Sequence, residues 1–311
     1  MIVIFLLTIF SNTSMLYSLQ TFTERKLFQM KILVTGPNGF VGHKIVSEYA
    51  RKFYQERARS NRSYNQVIPS PSLRGADQET IRRIVEESEA DVIIHTAAIS
   101  DIGQCQADPA ASYHANVLIP VYLAEASKNR KLICFSSDQV YSACLDPGPY
   151  SEDHVRPGNI YAEHKLEMEK RVLDILPSAV MLRAEWMYDL YVKRSNYLMN
   201  ILNAQDKVSF SSRQFRGVTY LQEVTDNMNK VIQLPGGAYN FGSETTMSMY
   251  EISKQFITYL GKKIVVEDAP ALRPHNLWMD CSKAARYGVV FSDVLGGLKK
   301  CADDYHLCSA K

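Results

Sequence analysis

Lys31-Ile-Leu-Val-Thr35, followed at once by Gly36-Pro-Asn-Gly39-Phe-Val-Gly42, is the stretch that decides the fold. The compact apolar run reads as a buried strand, and the pattern from His43 to Arg57 reads as a helix. Strand, glycine-rich turn and helix in that order is the context in which such a turn binds a nucleotide. The glycines permit a tight turn, let the backbone approach a pyrophosphate and let the helix pack closely on its sheet. N–H groups left free at the helix start, at the positive end of its dipole, then face the phosphates. Gly36, Asn38, Gly39, Phe40, Val41 and Gly42 are therefore the expected dinucleotide-binding residues of the turn.

The alternation continues downstream. Gln66-Val-Ile68 is a short candidate strand, Gln78 to Ser88 a helix, and Asp91-Val-Ile-Ile-His95 a strand. Val117 to Ala126 reads as helix and Lys131-Leu-Ile-Cys-Phe135 as another strand. Strands alternating with helices predict an α/β fold of Rossmann type, a doubly wound parallel sheet with helices on both faces. Right-handed crossovers would place every strand C-terminus on one edge, where ligands bind.

An acidic residue after the second strand would bind the adenosine ribose of NAD. Here that strand runs into Pro69-Ser-Pro-Ser-Leu-Arg74, with no carboxylate before Asp77. Ser70, Ser72 or Arg74 could meet a 2′-phosphate, so the choice between NAD and NADP tilts towards NADP. Arg57, Arg59 and Arg62 also lie nearby but read as a solvated helix end.

Two further segments carry chemistry. The strand at 131–135 leads into Ser136-Ser137-Asp138-Gln139, and Tyr161-Ala-Glu-His-Lys165 opens a helix that runs to about Leu176. Tyr161 and Lys165, four residues apart, project from one helix face. A tyrosine with a reference pKa of about 10 is a poor acid–base group at neutral pH. A neighbouring ammonium favours the phenolate, so Lys165 is expected to lower the Tyr161 pKa. Lys165 could also bind the nicotinamide ribose, and a strand-end serine could orient a substrate oxygen.

Taken together, these motifs resemble the extended short-chain dehydrogenase/reductases, and within them the dTDP-4-dehydrorhamnose reductase group. That group also contains the non-catalytic regulatory β subunit of methionine adenosyltransferase. The resemblance runs from Met30 to about Leu298. Its markers include Lys31 to Gly36, Asp91 to Ala98, Ala115-Asn-Val117, Ser136-Ser-Asp138, Gly148-Pro-Tyr-Ser-Glu152, Tyr161 to Lys165, and Leu182-Arg183 with Trp186. Arg273-Pro-His-Asn276 followed by Met279-Asp-Cys-Ser-Lys283 is the most telling, because it lies outside the generic nucleotide fold. The resemblance implies Ser137 as the substrate-orienting hydroxyl, Tyr161 as general acid and Lys165 as the residue that tunes it. It adds Ala97, Ala98 and Asn116, with Tyr161 and Lys165, to the cofactor-binding set.

Sugar-nucleotide 4,6-dehydratases of this superfamily carry an Asp-Glu pair after the catalytic hydroxyl residue. Asp138-Gln139 stands here, and an amide cannot abstract a proton, so dehydration is not expected. Ile99-Ser100 replaces a frequent Tyr-Thr pair, and Gly103 and Gln106 replace acidic positions linked to metal-assisted dimer contacts. Glu185 stands where the group usually has a small hydroxyl residue near the substrate, and a carboxylate pointing inward would repel a diphosphate. The implied activity is NAD(P)H-dependent reduction of a 4-keto sugar nucleotide. The alternatives are an NADP-binding regulatory subunit with a synthetase partner, and a sugar-nucleotide epimerase.

Composition narrows the remaining classes. The 311 residues are 46% hydrophobic and 22% charged, ordinary for a globular chain. A formal charge of +2 gives no electrostatic reason to expect nucleic acid. Six cysteines without a CxxC pair suit a reducing, cytoplasmic setting. His95, His114, His154, His164 and His275 show no metal-like spacing, so no metal is expected.

The apolar run Ile2 to Phe10 falls well short of the roughly 20 residues that span a bilayer, so no membrane span is expected. Residues 1–29 read either as an upstream start that adds no folded structure or as a targeting or anchoring segment. The dinucleotide-binding domain is then expected over 30–185. A smaller substrate-binding lobe, interleaved with returning strands, is expected over 186–300, with a short polar helix and tail from Lys299. A homodimer is a possible assembly.

Overall fold

The computed structural model describes residues 28–59, 64–191, 196–269 and 276–308. The central sheet has six parallel strands in the order β2-β1-β3-β4-β5-β9. They are β1 (Phe28–Thr35), β2 (Tyr64–Pro69), β3 (Val92–His95), β4 (Lys131–Ser137), β5 (Val180–Ala184) and β9 (Gly237–Phe241). The helices α1 (Phe40–Arg59), α2 (Gln78–Ser88), α5 (Ile119–Ala126), α6 (Ile160–Ile175) and α8 (Leu221–Val231) cover its faces. β1 begins two residues before Met30, because Phe28 already pairs with Tyr64 of β2.

The alternation of β1 explains why the sheet is covered on both sides. Ile32 and Val34 point into one apolar layer with Ile45 of α1 and Val224 and Met228 of α8. Leu33 points the other way, into a layer with Ile81 and Val85 of α2, Val121 of α5 and Met168 of α6. A strand buried on both faces reads as a continuous apolar run, as Lys31 to Thr35 does.

The order of strands reverses between β1 and β3, which opens a crevice at their C-terminal ends. Thr35 and His95, paired across β1 and β3, mark its floor. The π-helical stretch His114–Leu118 lies between α4 (Pro109–Tyr113) and α5, where the sequence pattern predicts a helix from Val117 only. Such single-turn widenings are frequent at functional sites, and this one buries Asn116.

A smaller lobe is built from β6 (Trp186–Tyr188), α7 (Tyr197–Leu202), β7 (Lys207–Phe210), β8 (Val218–Tyr220), α9 (Met249–Tyr259), β10 (Val265–Asp268) and α11 (Val294–Asp304). Its strands form two parallel pairs, β6 with β8 and β7 with β10. Tyr188, Tyr197, Val218, Ile252, Phe256, Leu298 and Cys301 fill its core. The C-terminal helix departs from the polar helix expected from Lys299. It starts at Val294, is capped by Asp293 Oδ1 accepting from the Gly296 amide at 2.6 Å, and buries Leu295, Leu298, Cys301 and Ala302. Gly296-Gly297 masks its start in the sequence, yet Gly297 lets the helix approach the Tyr188 hydroxyl, 3.1 Å from where a Cβ would sit. Among the described residues, no helix is long and apolar enough to cross a membrane. The upstream run Ile2 to Phe10 lies outside the described residues.

Candidate active site

The glycine turn closes as its residues require. Gly36 has φ +68°, and a Cβ on it would lie 2.9 Å from the Ala97 backbone. A Cβ on Gly42 would lie 2.2 Å from the Gly36 carbonyl oxygen and 2.6 Å from Thr96 Oγ1. The turn is therefore packed against the end of β3, with Ala97 and Ala98 alongside it. Asn38 and Gly39 are exposed at its tip, while Gly42 is buried. Phe40 and Val41 pack against the apolar layer beneath β1. Tyr191 stacks on Phe40 and His43 at 5.5 and 5.3 Å, and its hydroxyl donates to the Phe40 carbonyl. No acidic residue stands in the first turn of α1, so nothing there opposes a phosphate. Gly42→Ala should cost about 1–3 kcal/mol, because the added methyl must displace backbone. Thermal unfolding checks the effect.

Near β2, Asp77 caps α2 by accepting from the Thr80 amide at 2.8 Å. Ser70 is buried and bonds to the Pro71 carbonyl, whereas Ser72 and Arg74 are exposed. Arg62 lies outside the described residues.

Ser136 and Ser137 end β4 and face opposite sides. Ser136 donates to Glu169 Oε1 at 2.5 Å, deep in the helix layer. Ser137 Oγ lies 3.1 Å from Asp138 Oδ1 and accepts from the Gln139 amide at 3.2 Å. Tyr161 and Lys165 occupy the buried face of α6, and the Ser137 hydroxyl is near enough to act on the Tyr161 phenol, opposing its upward shift. Lys165 donates to the Phe135 carbonyl at 2.8 Å, with its ammonium 5.8 Å from the Tyr161 ring centroid. The structure thus brings Ser137, Tyr161 and Lys165 together at the C-terminal edge of the sheet.

One electrostatic expectation is reversed. Burial pushes the Tyr161 phenol above its usual range, and Asp138 raises it further against the lowering effect of Ser137. Burial also pulls Lys165 down to about 8. Desolvation, which falls on both groups, outweighs the pairing that the i,i+4 spacing suggests. The phenol is accordingly held in its proton-donating form.

Asn116 is fully buried. Its amide oxygen accepts from the Ile99 amide at 3.2 Å, and its nitrogen donates to the Ile99 carbonyl at 2.9 Å. It therefore acts on the turn after Ala97-Ala98 through the Ile99 backbone. His95 is buried and neutral, pushed down to about 3 by burial and then by Lys165. Its Nδ1 meets Thr35 Oγ1 at 2.7 Å.

Sequence reasoning missed the groups that close the site from the smaller lobe. Arg216 donates to Asp138 Oδ2 at 2.9 Å and lies over Trp186, 5.6 Å from the ring centroid. Its Nε is buried without a partner. Arg216 and Asp138 are 78 residues apart, and no local pattern links them. Asn276 fixes this arginine loop by accepting from the Phe215 amide at 2.9 Å. Leu277 bridges Arg216, Met279 bridges Tyr150, and Lys283 donates to the Ala238 carbonyl at 2.7 Å. This part of the C-terminal signature staples the lobe to the sheet, while Arg273, Pro274 and His275 lie outside the described residues.

Outside this site, Cys144, Asp146 and His154 place one ligand-type atom each within 4.8 Å of one another, a grouping that histidine spacing alone does not reveal. His154 and Asp146 already pair at 3.2 Å, and the Cys144 thiol lies 3.2 Å from the His154 carbonyl.

Comparison with known proteins decides the family. The RmlD substrate binding domain model matches residues 30–307. The chain belongs to that family. Among curated members of similar sequence, a dTDP-4-dehydrorhamnose reductase of Aggregatibacter actinomycetemcomitans is 23% identical over 86% of this chain and 97% of its own. A methionine adenosyltransferase 2 subunit beta of Xenopus laevis is 28% identical over 83% of each chain. Among solved structures, a dTDP-4-dehydrorhamnose reductase from Bacillus anthracis str. Ames in complex with NADP superposes with a TM-score of 0.76 at 21% identity. It covers 89% of this chain and 99% of its own. The RmlD-family fold, with its parallel doubly wound sheet, is therefore the fold of this chain.

Proposed function

We propose that this chain is an NADP-dependent reductase of a 4-keto sugar nucleotide. One observation carries the reading: Tyr161, kept protonated by burial and Asp138, shares the buried face of α6 with Lys165, whose ammonium holds the Phe135 carbonyl of β4 two residues before Ser137. The turn fits a dinucleotide, because Gly36 and Gly42 let it close tightly against the end of β3 while Asn38 and Gly39 stand exposed at its tip, where backbone can approach a pyrophosphate. Gly36, Gly39 and Gly42 would hold its phosphates, Ala97 and Ala98 would line its bed, and Lys165 would meet the nicotinamide ribose. No carboxylate is free at the end of β2, since Asp77 serves as a helix cap, which supports NADP over NAD. NADPH bound there supplies a hydride.

Tyr161 Oη gives its proton to the oxygen of the reduced carbonyl, the direction for which its raised pKa suits it. Ser137 Oγ fixes that oxygen, and Lys165 places a positive charge beside the phenolate left behind. Arg216, stacked on Trp186 with a spare donor, supplies the cation that a near-neutral surface lacks for an anionic substrate. Incubation with NADPH and dTDP-4-dehydrorhamnose, GDP- and UDP-linked 4-keto sugars tests the reading. Oxidation of NADPH with one of them is expected, and silence with all of them would overturn it.

A second reading has its own support: the methionine adenosyltransferase 2 subunit beta relatives reach 28% identity over 83% of the chain. On that reading the chain binds NADP and regulates a synthetase. Stoichiometric recovery of a methionine adenosyltransferase catalytic subunit in a pull-down, without turnover, would favour it.

A further inference from the structure

Glu185 follows Ala184, the residue that pairs with Ser137 across β4 and β5. It is only 6% exposed, and its carboxyl lies in a notch between two glycines. A Cβ on Gly217 would lie 1.8 Å from Oε1, and one on Gly242 would lie 2.2 Å from Oε2. Both oxygens therefore lie against the Arg216–Gly217 segment, with Oε2 at 2.1 Å from the same Cβ position, and Oε2 alone also faces Gly242–Ser243. Two donors converge on Oε2, the Thr219 hydroxyl at 2.7 Å and the Ser243 amide at 2.9 Å. Among the described residues, no donor reaches Oε1. A buried carboxylate needs donors on both oxygens, whereas a carboxylic acid accepts on one oxygen and carries its proton on the other.

We infer that Glu185 is an un-ionised carboxylic acid whose Oε1 hydroxyl donates a hydrogen bond to an oxygen of the substrate sugar, in the corner closed by Asp138 and Arg216. The identity of the ligand rests on the reductase reading; the state of the carboxyl does not. Burial drives the Glu185 pKa up to about 8, with Asp138 adding to it and Thr219, Arg216 and Ser243 opposing it. Cys281 also feels Glu185, and burial pushes its thiol well up and leaves it neutral. A neutral acid removes the repulsion of a diphosphate that a carboxylate here would cause. It also replaces the small hydroxyl of the family with another O–H donor.

The sign of the pH effect follows from proton linkage. The unfolded carboxyl has its ordinary value of 4.5 and the folded one about 8, so the folded state binds this proton more tightly. Its contribution to stability is present below the unfolded value and is lost as pH rises through the folded value. Thermal midpoints of wild type and Glu185→Gln, without ligand, should therefore diverge between about pH 5 and pH 8, wild type falling relative to the variant. A difference that does not change with pH would overturn the proposal. Should the variant fail to fold, a protonated-carboxyl infrared band in wild type that persists at neutral pH and vanishes above about pH 8 is the expected result; its absence is the contrary one. For the donor role, the wild-type KM for dTDP-4-dehydrorhamnose should rise severalfold from about pH 7 to pH 9, and the Gln variant should show no such rise. The same rise in both proteins would overturn it. Failure of wild type to oxidise NADPH with any 4-keto sugar nucleotide strikes the reductase reading alone, and the midpoints still decide the state of Glu185.

Discussion

Replacing Tyr161 with phenylalanine should lower kcat for NADPH-dependent carbonyl reduction by about 10²–10⁴-fold while the protein stays folded. Phenylalanine fills nearly the same buried volume on α6, so the buried face of that helix, with Met168 and Val172 further along it, is kept. What disappears is the one phenol that burial and Asp138 hold protonated against Ser137. The Ser137 hydroxyl keeps its own partners, Asp138 and the Gln139 amide. Steady-state kinetics on the responding sugar nucleotide, together with near-UV circular dichroism, separates loss of chemistry from loss of fold. An undiminished kcat would remove Tyr161 from the acid role.

The second large effect is on stability. Glu169 and Arg183 form a buried ion pair, with side chains 4% and 5% exposed and Nη2 2.7 Å from Oε2. The pair anchors a network. Arg183 also donates to the Tyr141 hydroxyl at 2.8 Å and the Glu152 carbonyl at 2.5 Å, and Tyr141 donates to Asn240 at 2.6 Å. Ser136 meets Glu169 from β4. One guanidinium thus ties β4, β5, α6 and β9 together one residue away from Ser137. Glu169→Ala leaves a buried cation without its partner and should cost about 3–5 kcal/mol. For a chain of this size the thermal midpoint should fall on the order of 10 °C. The paired substitution Glu169→Leu with Arg183→Met should recover only part of that loss, because it removes the unpaired charge but takes their partner from the Ser136 hydroxyl and the Glu152 carbonyl. A single variant within about 0.5 kcal/mol of wild type would show that the pair contributes little.

How much of this was legible in the sequence depends on the range of the interactions. β1 and the glycine turn are local: Lys31 to Gly42 contains its own strand, its own turn and its helix start. The Tyr161–Lys165 spacing is local too, which is why their shared buried face on α6 could be expected. The direction of the Tyr161 shift was not legible, because desolvation depends on everything packed over α6 and exceeds the pairing with Lys165. The lobe side of the site was hidden for the same reason. Arg216 finds Asp138 across 78 residues, and the Glu185 notch is cut by Gly217 and Gly242 from two different elements. A carboxylate and two isolated glycines have no spacing that signals a joint role. Asn116 could be matched by its family position, but its attachment to Ile99 depends on the π-helical stretch, which no periodicity announces.

The claim at the centre of the account is hydride transfer to a sugar carbonyl with Tyr161 as the proton donor. Deuterium tracing tests it most directly. NADPH labelled with deuterium at the nicotinamide C4 position is incubated with dTDP-4-dehydrorhamnose and the other 4-keto sugar nucleotides, and the sugar product is weighed by mass spectrometry. Wild type should yield a reduced sugar nucleotide carrying one deuterium, and Tyr161→Phe should yield almost none. A wild-type protein that binds NADPH yet returns every sugar unlabelled would contradict the account.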